Sequence, residues 1–160
     1  DQATSGLVLM ARHIDAQRRL SHAFAERQVH KRYQAVVWGL LAAQEGAWNE
    51  INLPIAADWE RRPLRVIDPA HGKPSLTRWR LLGHHPATGT SRIELEPVTG
   101  RTHQLRVHMA AVGHPILGDA LYAPAEVQAL APRLLLHASH LAFAHPSTGE
   151  PLALEWAADF

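Results

Sequence analysis

The chain has 160 residues, enough for one domain with a sizeable core, and its 46% hydrophobic and 19% charged residues are ordinary for a globular protein. It contains no cysteine, which excludes disulfides, thiolate catalysis and cysteine-ligated metal clusters. No apolar run is long enough to span a membrane. The absence of cysteine and of a targeting segment fits a cytoplasmic protein that does not contact a membrane. No apolar stripe indicates a dimer, so we expect a monomer.

The charges are unevenly distributed along the chain, although the formal net charge is only +1. Residues 60–108 contain nine Lys or Arg against four Asp or Glu, whereas residues 109–160 contain one Arg against five acids. This asymmetry predicts one face that attracts phosphates. Chance clustering on a solvated surface explains the same numbers about equally well.

The N-terminal half alternates short apolar runs with turn signals. The run 6–12 predicts a buried strand, and Asp15 can cap a helix over about 16–27. Residues 33–41 and 48–55 are typical of two further strands. Residues 56–75 contain three prolines and several charges, and we expect a long irregular loop there.

The C-terminal half predicts a hairpin, a helix and two closing strands. Residues 76–82 and 90–95 form the expected hairpin, and Thr102 is placed to cap a helix that ends before Gly113. Residues 134–144 and 152–156 are the last strands. The fold class is therefore α+β, a mixed and mostly antiparallel β-sheet flanked by helices and loops.

Two segments contain most of the residues suited to chemistry. Asp1 precedes a hydroxyl pair, a glycine and the first apolar run, so its carboxylate is a candidate nucleophile or general base. Taken alone, an aspartate in this position is more often a turn or capping residue. The second segment is the dense polar block Gly-Arg-Thr-His-Gln-Leu-Arg-Val-His-Met at 100–109.

Other site patterns fail on their chemistry. The twelve histidines form no His-Glu-x-x-His or other zinc pattern, so we predict no metal site. The segment 72–75 faintly echoes a phosphate loop, but it lacks the upstream glycine, and Pro74 removes an amide donor. An aspartic protease is excluded as well, because it requires Asp-Thr/Ser-Gly directly and a second aspartate that shares a proton.

Taken together, these blocks resemble one family. The stretch Asp-Gln-Ala-Thr-Ser-Gly at 1–6 resembles the second half of the His-Arg-Leu-Asp-x-x-Thr-Ser-Gly motif of RluA-type pseudouridine synthases. Residues 31–39 resemble that family's Lys-x-Tyr-x-Ala-x-Val-x-Gly strand. Residues 100–119 resemble its long signature block, and residues 132–138 a further shared stretch. The likeness covers essentially the whole chain.

The resemblance implies that the chain isomerises uridine to pseudouridine in RNA without a cofactor or a metal. Asp1 would be the catalytic carboxylate in C–N glycosidic cleavage, whether it attacks the sugar or the base or deprotonates the sugar. Tyr33 would pack against the target base and could serve in proton removal from C5. Arg101 would pair with Asp1 and fix its geometry. The target nucleotide is expected to leave its stack.

The resemblance also directs the expected RNA contacts. The residues expected to bind RNA are Thr4, Arg61, Arg62, Lys73, His103, Gln104 and Arg106. The expected substrates are 23S rRNA, the tRNA anticodon stem-loop, or both. Specificity would come from RNA shape and loop bases, with Arg and Lys on phosphates.

The chain departs from the family pattern at its start, because no His-Arg-Leu precedes Asp1. We therefore expect residues 1–160 to be an N-terminally truncated catalytic domain, weakly active or inactive as this piece alone. Two other function classes remain open. One is a non-catalytic RNA-binding module of the same fold, and the other is a metal-dependent nuclease that uses histidines.

Overall fold

The computed structural model describes residues 1–160 and contains twelve elements. In chain order they are β1 (Ser5–Gly6), α1 (Ile14–Ala25), β2 (His30–Trp38), β3 (Trp48–Asn52), β4 (Ile55–Ala57), β5 (Arg65–Ile67), β6 (Leu76–His85), β7 (Thr90–Pro97), α2 (Gln104–Ala111), α3 (Ala125–Gln128), β8 (Leu136–Ala144) and β9 (Pro151–Glu155). No helix is long and apolar enough to cross a bilayer.

One seven-stranded sheet organises the chain, in the order β1-β8-β2-β7-β6-β3, with β9 paired to the far half of β8. Only β1 runs parallel to its neighbour; the other pairs are antiparallel. The strands β6 and β7 form the hairpin expected from their alternating pattern. The expected α+β class with a mixed, mostly antiparallel sheet is confirmed.

The main core lies between one face of this sheet and helix α2. Its centre combines alternate residues of β2 and β7, such as Ala35, Val37 and Ile93, with Leu105 and Met109 of α2. Successive strand side chains point to opposite faces, so the other face of β7 presents polar and charged residues, whereas Val36 on the other face of β2 is buried with Leu117 and Val127. The helix is thereby fixed beside the end of β7, where the polar block 100–109 begins.

The structure corrects four local predictions. The strand expected over 6–12 is only Ser5–Gly6, and residues 7–13 are irregular. Leu7 and Leu9 pack against the small hydrophobic cluster that includes Leu20 of α1, whereas Val8 and Met10 are exposed. Helix α1 is capped by His13 rather than Asp15, because the His13 ring accepts the Ala16 amide at 3.3 Å.

The other two corrections concern a loop and a cap. The expected irregular loop 56–75 contains a small antiparallel hairpin of β4 and β5. Helix α2 takes His103, in a left-handed conformation, as its N-cap instead of Thr102. Its end agrees with the sequence, since Gly113 follows the Val112 cap with φ +85°.

Candidate active site

A cleft of about 400 Å³ opens beside the N-terminal end of α2. It brings together segments that are far apart in sequence: the N-terminal turn, β2, the β7–α2 connection and β8. The cleft-lining residues that bear on the chemistry are Asp1, Thr4, Lys31, Tyr33, Arg101, His103, Gln104 and Arg106. All three predicted catalytic residues therefore line one cavity.

The N-terminal turn is held by backbone contacts that explain its sequence. The Ala3 amide donates to the Asp1 carboxylate at 3.1 Å, and the Thr4 amide donates to the Asp1 carbonyl at 3.2 Å. Gly6 takes φ +99°, and a Cβ there would lie 2.3 Å from the Ala138 carbonyl oxygen. Only glycine allows β1 to approach β8 this closely, and that approach places Asp1 in the cleft.

The guanidinium that pairs with Asp1 is that of Arg106. Its Nη1 donates to Asp1 Oδ2 at 2.9 Å, and the Arg106 side chain is only 4% exposed. The predicted Arg101–Asp1 pair is wrong: the exposed Arg101 guanidinium instead donates to the Pro74 carbonyl at 3.3 and 3.4 Å. Arg101 still lines the cleft. The Arg106 side chain is buried and paired with two carboxylates, which gives it a structural role in place of the expected phosphate contact.

Asp119 supplies the second carboxylate and fixes the guanidinium plane. It accepts from Arg106 Nε at 3.0 Å and from Nη2 at 2.6 Å, a bidentate pair. Its Oδ1 also accepts the amides of Leu121 and Tyr122. Gly118 precedes it with φ +73° and no room for a Cβ, which would lie 1.8 Å from the Arg133 carbonyl oxygen. Arg106 therefore reaches Asp1 from a rigid base.

The aromatic ring of Tyr122 covers the Arg106 guanidinium on the side that faces His103. The Tyr122 ring lies 5.3 Å from the Arg106 guanidinium carbon, and its hydroxyl accepts from the Arg65 amide at 3.0 Å. That hydroxyl is free to donate to His103 Nδ1 at 2.7 Å. Burial lowers the pKa of His103, and the positive charge of Arg106 acts in the same direction. A neutral His103 thus faces the cleft.

Two residues of β2 form the opposite wall. Burial raises the pKa of Tyr33, so its phenol stays protonated at neutral pH. Burial lowers the pKa of Lys31, whose ammonium lies 5.5 Å from the centre of the Phe24 ring. Lys31 has no acidic partner within salt-bridge distance, which leaves one positive charge directed to the cleft.

Gln104 has a structural use and no capacity left for RNA. Its Oε1 accepts from the Thr99 hydroxyl at 2.7 Å and from the Arg101 amide at 3.0 Å. Its Nε2 donates to the Leu76 carbonyl at 2.9 Å and the Thr77 hydroxyl at 3.0 Å. These four bonds use the full hydrogen-bonding capacity of the carboxamide, which favours a structural role for Gln104 over the expected RNA contact.

The remaining predicted RNA contacts fall in two places. Thr4 and His103 line the cleft, whereas Arg62 and Lys73 line a neighbouring groove beside the β4–β5 hairpin. Arg61 pairs with Asp58 at 2.7 Å on the hairpin turn. No group of three or more His, Asp or Glu residues is arranged to hold a metal ion.

Sequence reasoning missed Lys31, Asp119 and Tyr122 as parts of this site. Lys31 had a usable signal, because it stands two residues before Tyr33 in a strand and could share its side of the sheet. Asp119 also had one: a buried arginine on a helix requires an acid, and Asp119 follows a glycine in a turn. Tyr122 had none, since only the tertiary fold brings it over Arg106.

Comparison with known proteins agrees with this geometry. The family model for RNA pseudouridylate synthase matches residues 1–111. The chain is 52% identical over 153 residues to the dual-specificity RNA pseudouridine synthase RluA of Pasteurella multocida, covering 96% of this chain and 68% of that protein. It is 45% identical over 160 residues to the RluA of Escherichia coli K12, covering 100% of this chain and 71% of that protein.

A solved structure supports the same relationship. Human RNA pseudouridylate synthase domain containing 1 superposes with a TM-score of 0.83 at 33% identity, covering 98% of this chain and 66% of that chain. The chain thus spans about two thirds of the length of several relatives. It belongs to the RNA pseudouridylate synthase family and is an isomerase that converts uridine to pseudouridine in RNA.

Proposed function

We propose that the chain isomerises uridines of rRNA and tRNA, with Asp1 as the catalytic carboxylate, Arg106 as the residue that positions it and Tyr33 as the wall against which the target base packs. The observation that supports this most directly is the Asp1–Arg106–Asp119 arrangement at the floor of a cleft. The substrates are inferred from relatives named dual-specificity RNA pseudouridine synthases. Such substrates suit a cytoplasmic protein.

The reaction balances without any added reactant. The C1′–N1 glycosidic bond breaks, the uracil turns, and a C1′–C5 bond forms; N1 gains a proton and C5 loses one. Because product and substrate have the same composition, the site needs only to stabilise charge, hold the freed base and move protons. The carboxylate of Asp1, the guanidinium of Arg106 and the phenol of Tyr33 can supply these three functions.

Asp1 is suited to the cleavage step because its carboxylate is held in one orientation. The Arg106 guanidinium donates to one carboxylate oxygen and the Ala3 amide to the other. The two charge-assisted contacts fix the direction of the carboxylate. A fixed negative charge stabilises the electron-poor sugar as the base departs. Attack on the sugar, attack on the base and deprotonation of the sugar are all compatible with this placement.

Tyr33 is suited to hold the detached base rather than to act as a charged group. Its pKa is raised by burial, so a neutral ring and hydroxyl face the cleft. The ring offers a stacking surface, and the hydroxyl can relay a proton from C5. Arg101, also at the cleft, is suited to contact a phosphate next to the flipped nucleotide.

Two alternatives make different predictions. A non-catalytic RNA-binding module would not need an ionised carboxylate fixed by a buried arginine, since burial of that arginine removes it from RNA contact. A metal-dependent nuclease would lose activity in a chelator. We expect EDTA to leave pseudouridine formation unchanged.

The decisive experiment is tritium release from RNA labelled at uridine C5, with the wild-type protein carrying its natural N-terminal sequence and the Asp1→Asn variant of that same protein in parallel. Loss of the carboxylate charge should lower the release rate by about 100- to 1,000-fold, a typical cost of removing one preorganised electrostatic group. RNA affinity should change little, because the side chain keeps its size. Equal release by both proteins would remove Asp1 from the mechanism. RNA binding without release by the wild type would favour the binding module.

A further inference from the structure

A second groove continues from the catalytic cleft along the β4–β5 hairpin. The two cavities share Gly100, Arg101 and Thr102 as lining residues, so a chain leaving the cleft can enter the groove without crossing a barrier of other residues. The groove is the larger of the two, at about 910 Å³. Its position makes it the natural path for the nucleotides next to a target uridine.

The groove is positively charged in a protein whose net charge is only +1. Four cationic side chains line it: Arg62, Arg65, Lys73 and Arg101. The one acid among the lining residues is Asp68, whose Oδ1 accepts the amides of Ala70 and His71 at 3.0 Å, so the cations outnumber the acid. None of the four cations has an acidic partner within salt-bridge distance. A polyanion would supply the missing negative charge.

Trp59 stands in this groove with its indole exposed. Its exposed fraction is 72%, and the Arg62 guanidinium carbon lies 5.5 Å from the centre of its ring. The turn that presents it is closed by Asp58, which accepts the Arg61 amide at 3.1 Å and pairs with the Arg61 guanidinium. A single exposed tryptophan is common on protein surfaces. Its place between unpaired cations is what suggests a ligand.

A flat aromatic ring among unpaired cations matches the chemistry of unpaired nucleotides. Each base presents a π-face that stacks on an aromatic side chain, and each phosphate accepts from Arg or Lys. A duplex hides its base faces and would use the cations alone. We propose that Trp59 is a stacking platform for an unpaired base that flanks the target uridine, with Arg62 and Lys73 on the adjoining phosphates. This inference rests on the proposed action on RNA.

The test combines binding and kinetics for three tryptophan variants. Trp59→Ala should raise the Kd for a short single-stranded oligouridylate and for unmodified transcribed tRNA by about tenfold, since loss of one stacked base is expected to cost that much. Trp59→Phe keeps an aromatic face and should recover most of the affinity. Trp156→Ala is the matched control, because Trp156 is 65% exposed but lies outside both cavities.

Two further measurements separate stacking from simple structural support. Binding of oligouridylate should quench tryptophan fluorescence in the wild type and in Trp156→Ala, and the quenching should fall in Trp59→Phe. Affinity for a blunt RNA duplex should be equal in wild type and Trp59→Ala. The proposal is overturned if Trp59→Ala binds oligouridylate as the wild type does, or if it weakens duplex binding equally.

Tritium release by the wild type, measured alongside, keeps this proposal separate from the proposed function. If the wild type releases no tritium, the proposed activity fails, and the oligouridylate Kd values still decide for or against the stacking platform. If the wild type releases tritium and Trp59→Ala matches it in both KM and Kd, the platform fails and the activity stands. An increase in KM larger than the change in kcat supports the platform.

Discussion

At the scale of single residues, the site depends on one guanidinium shared by two carboxylates. Arg106 holds Asp119 with two nitrogens and Asp1 with the third. The two acids differ in exposure, at 1% for the Asp119 side chain and 19% for that of Asp1. The buried Asp119 anchors Arg106, and the more accessible Asp1 faces the cleft. We therefore assign a structural role to the Asp119 carboxylate and a reactive role to that of Asp1.

Replacement of Arg106 by lysine should therefore disable the site even though the charge is kept. One ammonium cannot reproduce three donors in a planar fork, so either Asp1 or Asp119 loses its partner. We expect Arg106→Lys to lower tritium release by about 100-fold or more, since small misplacement of reacting groups costs this much. Its free energy of unfolding, from urea titration, should fall by ~1–3 kcal/mol.

Arg101→Lys is the matched comparison on the same connection. Its side chain is exposed and donates only to the Pro74 carbonyl, so its unfolding free energy should remain within about 0.5 kcal/mol of the wild type. Its activity should fall less than that of Arg106→Lys. A larger loss of activity in Arg101→Lys than in Arg106→Lys would indicate that Arg101, and not Arg106, orients the Asp1 carboxylate.

At the scale of elements, α2 is fixed to the sheet by a buried histidine. His108 is fully buried and lies between the Thr77 hydroxyl, 2.8 Å from Nδ1, and the Leu53 carbonyl, 2.9 Å from Nε2. The carbonyl can only accept, which assigns the proton to Nε2 and leaves Nδ1 to accept from Thr77. Burial lowers the pKa of His108, so this link between helix and strand requires the neutral ring.

The free energy of unfolding should therefore fall as the pH drops below about 6.5, where histidines of the unfolded chain take up protons. In the folded state His108 takes up a proton only at a lower pH. Between these two pKa values the unfolded state binds more protons, so it is stabilised relative to the folded state. His108→Gln keeps one acceptor and one donor without titrating. The urea midpoint of this variant should decrease less between pH 7 and pH 5 than that of the wild type.

His85→Gln serves as the control for this experiment, because His85 is exposed at the end of β6. Its pH dependence should match that of the wild type. An identical pH dependence in wild type and His108→Gln would show that the buried ring does not couple protonation to folding.

At the scale of the whole molecule, the fold concentrates positive charge without raising the net charge. Cations in the cleft and the hairpin groove come from β2, the β4–β5 hairpin and the β7–α2 connection. On the polar face of the sheet, in contrast, Arg78 pairs with Glu96 and Arg80 pairs with Glu94. The proposed RNA path is therefore lined by cations without an acidic partner, whereas these two sheet arginines are neutralised.

This distribution predicts which cations govern the salt dependence of RNA binding. Each phosphate contact in a single strand contributes about 0.7 to the slope of log K against log salt. Arg62→Gln and Lys73→Gln should each reduce the slope for oligouridylate by about that amount. Arg18→Gln should leave it unchanged, because Arg18 lies on α1 beside Asp15. Equal slopes for the wild type and all three variants would show that Arg62 and Lys73 do not contact the RNA phosphates.

Much of the fold was predictable because its signals are local. The alternation in β6 and β7 predicted their hairpin, and Gly113 marked the end of α2. The small hairpin β4–β5 was missed because prolines and charges obscure the pattern of three-residue strands. The length of β1 was overestimated, since Leu7 and Leu9 are apolar for packing against α1 and not for pairing in the sheet.

The sequence by itself determined the family, the placement of Asp1 and Tyr33 in one site, and the α+β class, because these depend on residue identity at fixed local spacing. The tertiary structure alone decided which arginine meets Asp1. Arg101 and Arg106 stand five residues apart in one polar block, but α2 begins at Gln104, so Arg101 stays on the exposed connection while Arg106 turns into the protein. Asp119 and Gly6 complete the arrangement through contacts between distant segments, which packing sets and local sequence spacing does not encode.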